Sequence, residues 1–126
     1  MAGADNLRVR VKQFAIRVLK FVKTPPQDPA TIAVVRQLAK SAPSVSANYH
    51  SAGRSRSRAE FKARLGVVVD EADETVGWLE LLKETCPSTG PELDSLIGES
   101  RELRAIFLQS VRTARLKDQP ARQRQA

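Results

Sequence analysis

The residues of this chain able to do chemistry are few, and the cationic ones dominate. The single His50 and the single Cys86 have no second His or Cys to complete a nucleophile–base pair or a conventional zinc site. Asp70, Glu71, Asp73 and Glu74 crowd together as a carboxylate metal site would. A di-iron bundle, however, takes a Glu-x-x-His pair from each of two helices, which one His cannot supply. Gly53 and Gly66 stand alone rather than in a phosphate-cradling loop. The sequence therefore predicts no catalytic residue, no metal and no cofactor: not an enzyme.

The basic residues are better organised. Arg54, Arg56 and Arg58 alternate with serines, and Lys62 and Arg64 follow; Arg8 and Arg10 lie near the start, and Arg112, Arg115, Lys117, Arg122 and Arg124 crowd the end. Clustered guanidinium groups are the footprint of phosphate binding, which is salt-dependent and largely blind to sequence. Such a cluster also serves simply to neutralise an acidic surface or a helix C-terminal dipole. Tyr49 and a few other aromatics leave little for base stacking, which argues against specific single-strand readout.

Positioning these groups falls to a chain of 126 residues, 41% hydrophobic and 28% charged, the length and composition of one globular domain. The net charge of +7 is unevenly spread: Asp70 to Glu102 holds ten acids and two bases, and the remainder nineteen bases and four acids. That division points to a polyanionic partner or to pairing between opposite surfaces, within one copy or between copies. No apolar run approaches the roughly 20 residues of a membrane span, and none near Met1 has the form of a secretory signal. No membrane partner and a cytoplasmic location are the expectation.

Hydrophobic spacing predicts four helices and no strand. Leu7, Val11, Phe14, Val18 and Val22 stripe a helix from about Asp5, its N-cap, to about Lys23. Prolines then break the chain. A second helix runs from about Asp28 to Gly53 on Ile32, Val35, Leu38, Ala42, Val45 and Tyr49, with a kink or restart at Pro43. The third, about Ser57 to Thr85, carries Phe61, Leu65, Val68, Ala72, Thr75, Leu79 and Leu82 at heptad spacing. After a Pro-flanked turn, the fourth runs from about Pro91 to Leu116 on Leu93, Leu96, Ile97, Leu103, Phe107, Val111 and Ala114. The expected fold is an all-α antiparallel up-down-up-down four-helix bundle over 1–116, followed by a polar, basic, disordered tail over 117–126. That topology gathers the three basic clusters at one pole.

Some residues fall outside the core stripes. Val9, Ile16 and Leu19 lie opposite Leu7 and Val18; Val67 and Trp78 project away from the heptad seam. These are either scattered exposed apolar residues or a subunit interface of a homo-oligomer. Arg64 and Glu71 lie between the seam and Trp78, where charges must reach solvent or be paired, and Glu74 is a further candidate partner. Gly66 and Gly77 fall on the outer side, where another backbone could approach closely. In the small, polar stretch Ser41 to Tyr49, Asn48 is placed to bond a neighbouring helix or to be a plain satisfied amide.

Ser41-Ala42-x-Ser44, Ala47-Asn48-Tyr49, Arg54, Arg56-Ser57, Phe61, Leu65, Glu71-Ala72-x-Glu74 and Trp78-Leu79 together resemble a bacterial four-helix-bundle family. Its members are encoded by intervening sequences in 23S rRNA genes and elsewhere on bacterial chromosomes. The resemblance runs from about Leu7 to Ala114, and the family is in turn similar to the accessory variability protein of diversity-generating retroelements. It implies a barrel-like homopentamer with a basic surface for RNA or DNA, a reverse-transcriptase partner in the retroelement relative, and neither activity nor cofactor. One position departs: the family usually has Glu three residues after the Asn, where this chain has Ser51. A polar pairing made by that Glu has to be remade here, with Glu71 or Glu74 as the candidates. The resulting expectation is a non-enzymatic homo-oligomer binding nucleic acid or a nucleoprotein through Arg8, Arg10, Arg54, Arg56, Arg58, Lys62, Arg112, Arg115 and Lys117. The other reading is an adaptor that docks a protein such as a reverse transcriptase.

Overall fold

Each helix begins where local chemistry allows. The computed structural model describes residues 2–118 and has helices α1 (Ala2–Phe21), α2 (Pro29–Ala52), α3 (Arg58–Thr85) and α4 (Gly90–Lys117), with a short 3₁₀ turn at Pro87–Thr89. Asp28 caps α2: its carboxylate accepts from the Thr31 amide at 3.0 Å and from the Thr31 hydroxyl at 2.8 Å, and Pro29 fills the first turn. Those bonds, the amide first, hold the Asp28 carboxyl below the usual carboxylate range. Ser57 caps α3 by accepting from the Glu60 amide at 3.1 Å, the Ser-x-x-Glu pattern of a capping box. Gly90 opens α4 at a φ of 75°, a conformation in which a side chain would be strained.

The heptad seam of α3 is buried as its spacing predicts: Leu65, Val68, Leu79 and Leu82 are fully enclosed, with Ala72 and Thr75 between them. They meet Phe14 and Val18 of α1, Leu38 and Val45 of α2, and Leu96, Leu103 and Phe107 of α4 in one core. Each such side chain contributes roughly 1.5–3 kcal/mol by leaving water. Tyr49 tilts over Phe107 with ring centroids 5.5 Å apart, and burial raises its hydroxyl above the usual tyrosine value.

α1 packs on α2 and α4, and α3 packs on α2 and α4, closing a four-helix bundle. Arg10 pairs with Glu99 and Arg17 with Glu92, so the α4 partner number falls as the α1 number rises. The same holds between α3 and α4, where Asp73 pairs with Arg104, Glu80 with Arg101 and Lys83 with Asp94.

Several details differ from the sequence expectation. α1 begins at Ala2, ahead of Asp5, and ends at Phe21, which is buried. α2 runs on through Pro43 without restarting; only one backbone bond is lost there, and the packing of Leu38, Ala42 and Val45 outweighs it. Thr31, Ser41, Val76 and Ser100 are buried although no stripe included them. α4 reaches Lys117, and Asp118 follows it in contact with α3, so the bundle extends past Leu116. The rest of the expected tail, with Arg122 and Arg124, lies outside the described residues. No helix among the described residues is long and apolar enough to cross a membrane.

Candidate nucleic-acid interface

The connection between α2 and α3 is where positive charge converges. Arg54, Arg56 and Arg64 surround an open cleft of about 750 Å³ together with His50, Ser51 and Glu60. The end of α2 supplies His50 and Ser51, the turn supplies Arg54 and Arg56, and the first turns of α3 supply Glu60 and Arg64. Arg64 is held in place: Nη1 donates to the Ser51 carbonyl at 2.7 Å, and Nη2 pairs with Glu60 one helical turn back at 2.8 Å. Arg54 and Arg56 are exposed on the turn. The hydroxyl oxygen of Ser55, between them, is buried with no hydrogen-bond partner.

A second group of cations lies where α3 begins and α4 ends. Asp118 takes a hydrogen bond from Arg58 Nη1 at 3.1 Å and another from Lys62, and Arg58 also donates to the Lys117 carbonyl at 3.3 Å. Lys62 first and Arg58 second hold the Asp118 carboxyl below its ordinary range. Two expected phosphate ligands thus already face a carboxylate. Arg112, Arg115 and Lys117 are exposed on the last turns of α4.

Arg10, expected among the phosphate-binding arginines, forks onto Glu99, Nε at 2.8 Å and Nη2 at 2.7 Å, with Glu102 2.9 Å away. Those carboxylates, Glu99 foremost, raise its pKa above the normal arginine value and engage its Nε and Nη2 groups. Arg10 is therefore a strut between α1 and α4. Arg8 is exposed and borders a groove between α1 and α2 with Lys12 and His50.

The interior polar residues also rearrange the expectation. Asn48 does not reach across helices; its amide donates to the Ser44 carbonyl at 2.8 Å and to the Ser44 hydroxyl at 3.0 Å within α2. Neither Glu71 nor Glu74 replaces the carboxylate missing at position 51: Arg64 instead takes the backbone carbonyl of Ser51 itself, with Glu60 as its ion partner. Glu71 has its carboxyl raised, first by burial and then by Glu74, with Lys40 opposing. The cross-helix bond is made elsewhere, by the Thr75 and Ser41 hydroxyls at 3.0 Å in the core. Among the oligomer candidates, Val9 is 56% and Val67 43% exposed, Ile16 is half-buried, and Trp78 leans partly onto the core.

Asp118 and Glu60 belong to this surface although the sequence did not single them out. Glu60 to Arg64 is a readable pair four residues apart on a helix. Asp118 carried no such signal, because its partners lie 56 and 60 residues away. Among the described residues no group of three His, Cys, Asp or Glu side chains is placed to hold a metal.

No curated protein matches the chain. A crystal structure of a protein with unknown function from the S23 ribosomal protein family of Bacteroides thetaiotaomicron VPI-5482 is similar, with 28% sequence identity and a TM-score of 0.75. The likeness covers 83% of this chain and 97% of that one. Residues 7–109 match the sequence model of a family described as 23S rRNA-intervening sequence protein. With most of its length inside that match, the chain belongs to the 23S rRNA-intervening sequence protein family.

Proposed function

We propose that this protein is a non-enzymatic, cytoplasmic nucleic-acid-binding module that engages the phosphates of RNA or DNA through its basic end. The observation that carries the reading is the exposure of Arg54 and Arg56, beside His50, on one open cleft that the bonded Arg64 shapes. Guanidinium groups on an open surface suit phosphate oxygens of any sequence, and the scarcity of aromatics there suits backbone contact rather than base readout.

In this reading the helices run antiparallel, up-down-up-down, supported by the falling partner numbers along the α1–α4 and α3–α4 pairs. That order places the start of α1, the α2–α3 turn and the end of α4 at one pole, with Arg8, Arg54, Arg56, Arg112, Arg115 and Lys117 as its cations. The resemblance to barrel-like pentamers supports assembly into a ring-like homopentamer. Repeating a weak basic pole around a ring raises avidity without any single tight site.

Titration of a fluorescent RNA at low salt tests the reading. Binding that weakens with salt, and that drops when Arg54, Arg56 and Arg58 are changed to serine, is the expected result. The absence of binding, or binding indifferent to the triple change, contradicts it. The apolar groove beside Arg8 favours a second reading, an adaptor that docks a protein such as a reverse transcriptase. Pull-down after nuclease treatment separates the two, because a protein contact persists and an RNA-bridged one does not.

A further inference from the structure

Two outward stripes of this chain share one spacing and carry opposite charge. Val9, Lys12, Ile16 and Lys20 follow one another on α1 at steps of three, four and four residues; Val67, Asp70, Glu74 and Trp78 repeat those steps on α3. At about 100° per residue each set lies on one side of its helix, away from the buried seam. The outward side of α1 exposes Val9 and Leu19, and that of α3 exposes Val67 and Leu81, each about half exposed or somewhat less.

The α1 stripe borders a groove of about 590 Å³, floored by Val9, Ile16 and Leu19 with Pro43 and Ala47 of α2, and rimmed by Lys12 and His50. From Val9 to Leu19 this groove extends about 15 Å, and the α3 stripe from Val67 to Trp78 extends about 16 Å. The acids of α3 that face α4 are already matched, Asp73 by Arg104 and Glu80 by Arg101. Asp70 and Glu74 are exposed, with Glu74 beside Glu71, and Lys12 and Lys20 are exposed on α1. Gly77 lies on the same outer side of α3, and a Cβ there would meet nothing within 4 Å. Packing inside one copy therefore gives no reason for a residue that weakens a helix.

We infer that the groove between α1 and α2 of one copy receives the outward face of α3 of a second copy, joining copies head to tail through two different surfaces. This rests on the proposed assembly and adds which surfaces meet. The apolar residues supply most of the affinity, and the lysines facing carboxylates set register and exclude the like-on-like arrangement. A contact between two unlike surfaces leaves each copy with one groove and one stripe to offer, so assembly continues until a ring closes. It also gives a role to part of the separation of charge along the chain: Asp70 and Glu74, two acids of the acidic middle, face the basic start of a second copy.

Light scattering and native mass spectrometry of the full chain test this, with Ile16→Glu disabling the groove and Val67→Lys disabling the stripe. Each variant alone is expected to be monomeric where the wild type is oligomeric. An equimolar mixture is expected to form a dimer and nothing larger, since only one groove and one stripe survive between them. A charge reversal, Lys12→Glu with Glu74→Lys, covers the case in which an apolar replacement unfolds: each change alone lowers the mass, and the two in one chain restore it. An assembled wild type whose variants keep its mass, or folded variants that stay monomeric when mixed, overturns the inference and leaves the assembly reading standing. A wild type that is monomeric throughout overturns the assembly reading and this inference with it.

Discussion

Arg64 Nη1 donates to the carbonyl of Ser51 at 2.7 Å, tying the third helix to the end of the second across the arginine turn. The link spans thirteen residues, and Glu60 steadies the other end of the guanidinium at 2.8 Å. The cleft that displays Arg54 and Arg56 is thus shaped by a third arginine whose donors point inward. Arg64→Met keeps the apolar stem and removes both bonds, and is expected to cost about 1 kcal/mol in thermal unfolding. Arg64→Lys recovers little of it, because an ammonium cannot fork to both acceptors. Circular-dichroism melts of the three proteins check this.

Asp118 accepts hydrogen bonds from Arg58 and Lys62 and so occupies two cations of the proposed phosphate-binding surface. Its carboxyl titrates below the usual range because Lys62 and Arg58 favour the charged form, so the native state binds fewer protons than the unfolded one in acid. Its stabilising contribution is complete above about pH 4, the unfolded carboxyl value, and is lost as pH falls through the lower folded value. Asp118→Asn is expected to lower the melting temperature at pH 7 and to change it little near pH 2. The same change frees Arg58 and Lys62, so RNA affinity at pH 7 is expected to rise. Melts at both pH values and an anisotropy titration measure the two effects.

Among the described residues a polar link joins two helices in the core, the Thr75 and Ser41 hydroxyls 3.0 Å apart, with the Thr75 oxygen also 2.8 Å from the Glu71 carbonyl. Thr75→Val leaves the Ser41 hydroxyl buried without its partner and is expected to cost about 1–2 kcal/mol. Adding Ser41→Ala removes the orphaned group, and most of the loss is expected to return. Denaturant titrations of the single and double variants give the coupling directly.

Much of this architecture was readable because it is local. The heptad seam from Phe61 to Leu82 needed only periodicity, and the caps at Asp28 and Ser57 needed only their own next turn. What escaped depends on which helices become neighbours. Arg10 reads as one more surface arginine until α4 brings Glu99 and Glu102 against it. Of the two readings open for Asn48, the plain satisfied amide holds, bonded to a carbonyl one turn back in its own helix. Pro43 was a fair signal for a break, and core packing on both sides of it prevailed. For the site, the arginines were visible in the sequence; which of them face carboxylates was not.

Gly77→Ala separates the stability of one copy from that of the assembly. With nothing within 4 Å of the new Cβ, the single copy is expected to gain up to about 1 kcal/mol of helix stability. Close approach of a second copy over the same surface is expected to suffer. Melts in an Ile16→Glu background report the first effect, and the concentration dependence of light scattering reports the second.

The salt dependence of RNA binding tests the central claim most directly. The logarithm of the association constant is expected to fall linearly with the logarithm of salt concentration, at a slope of about 0.7 for each single-strand phosphate contacted. Changing Arg54 and Arg56 together to serine is predicted to shallow that slope by about 1.4 and weaken binding similarly for unrelated sequences. Binding that ignores salt, or a slope unchanged in the double variant, would contradict the account.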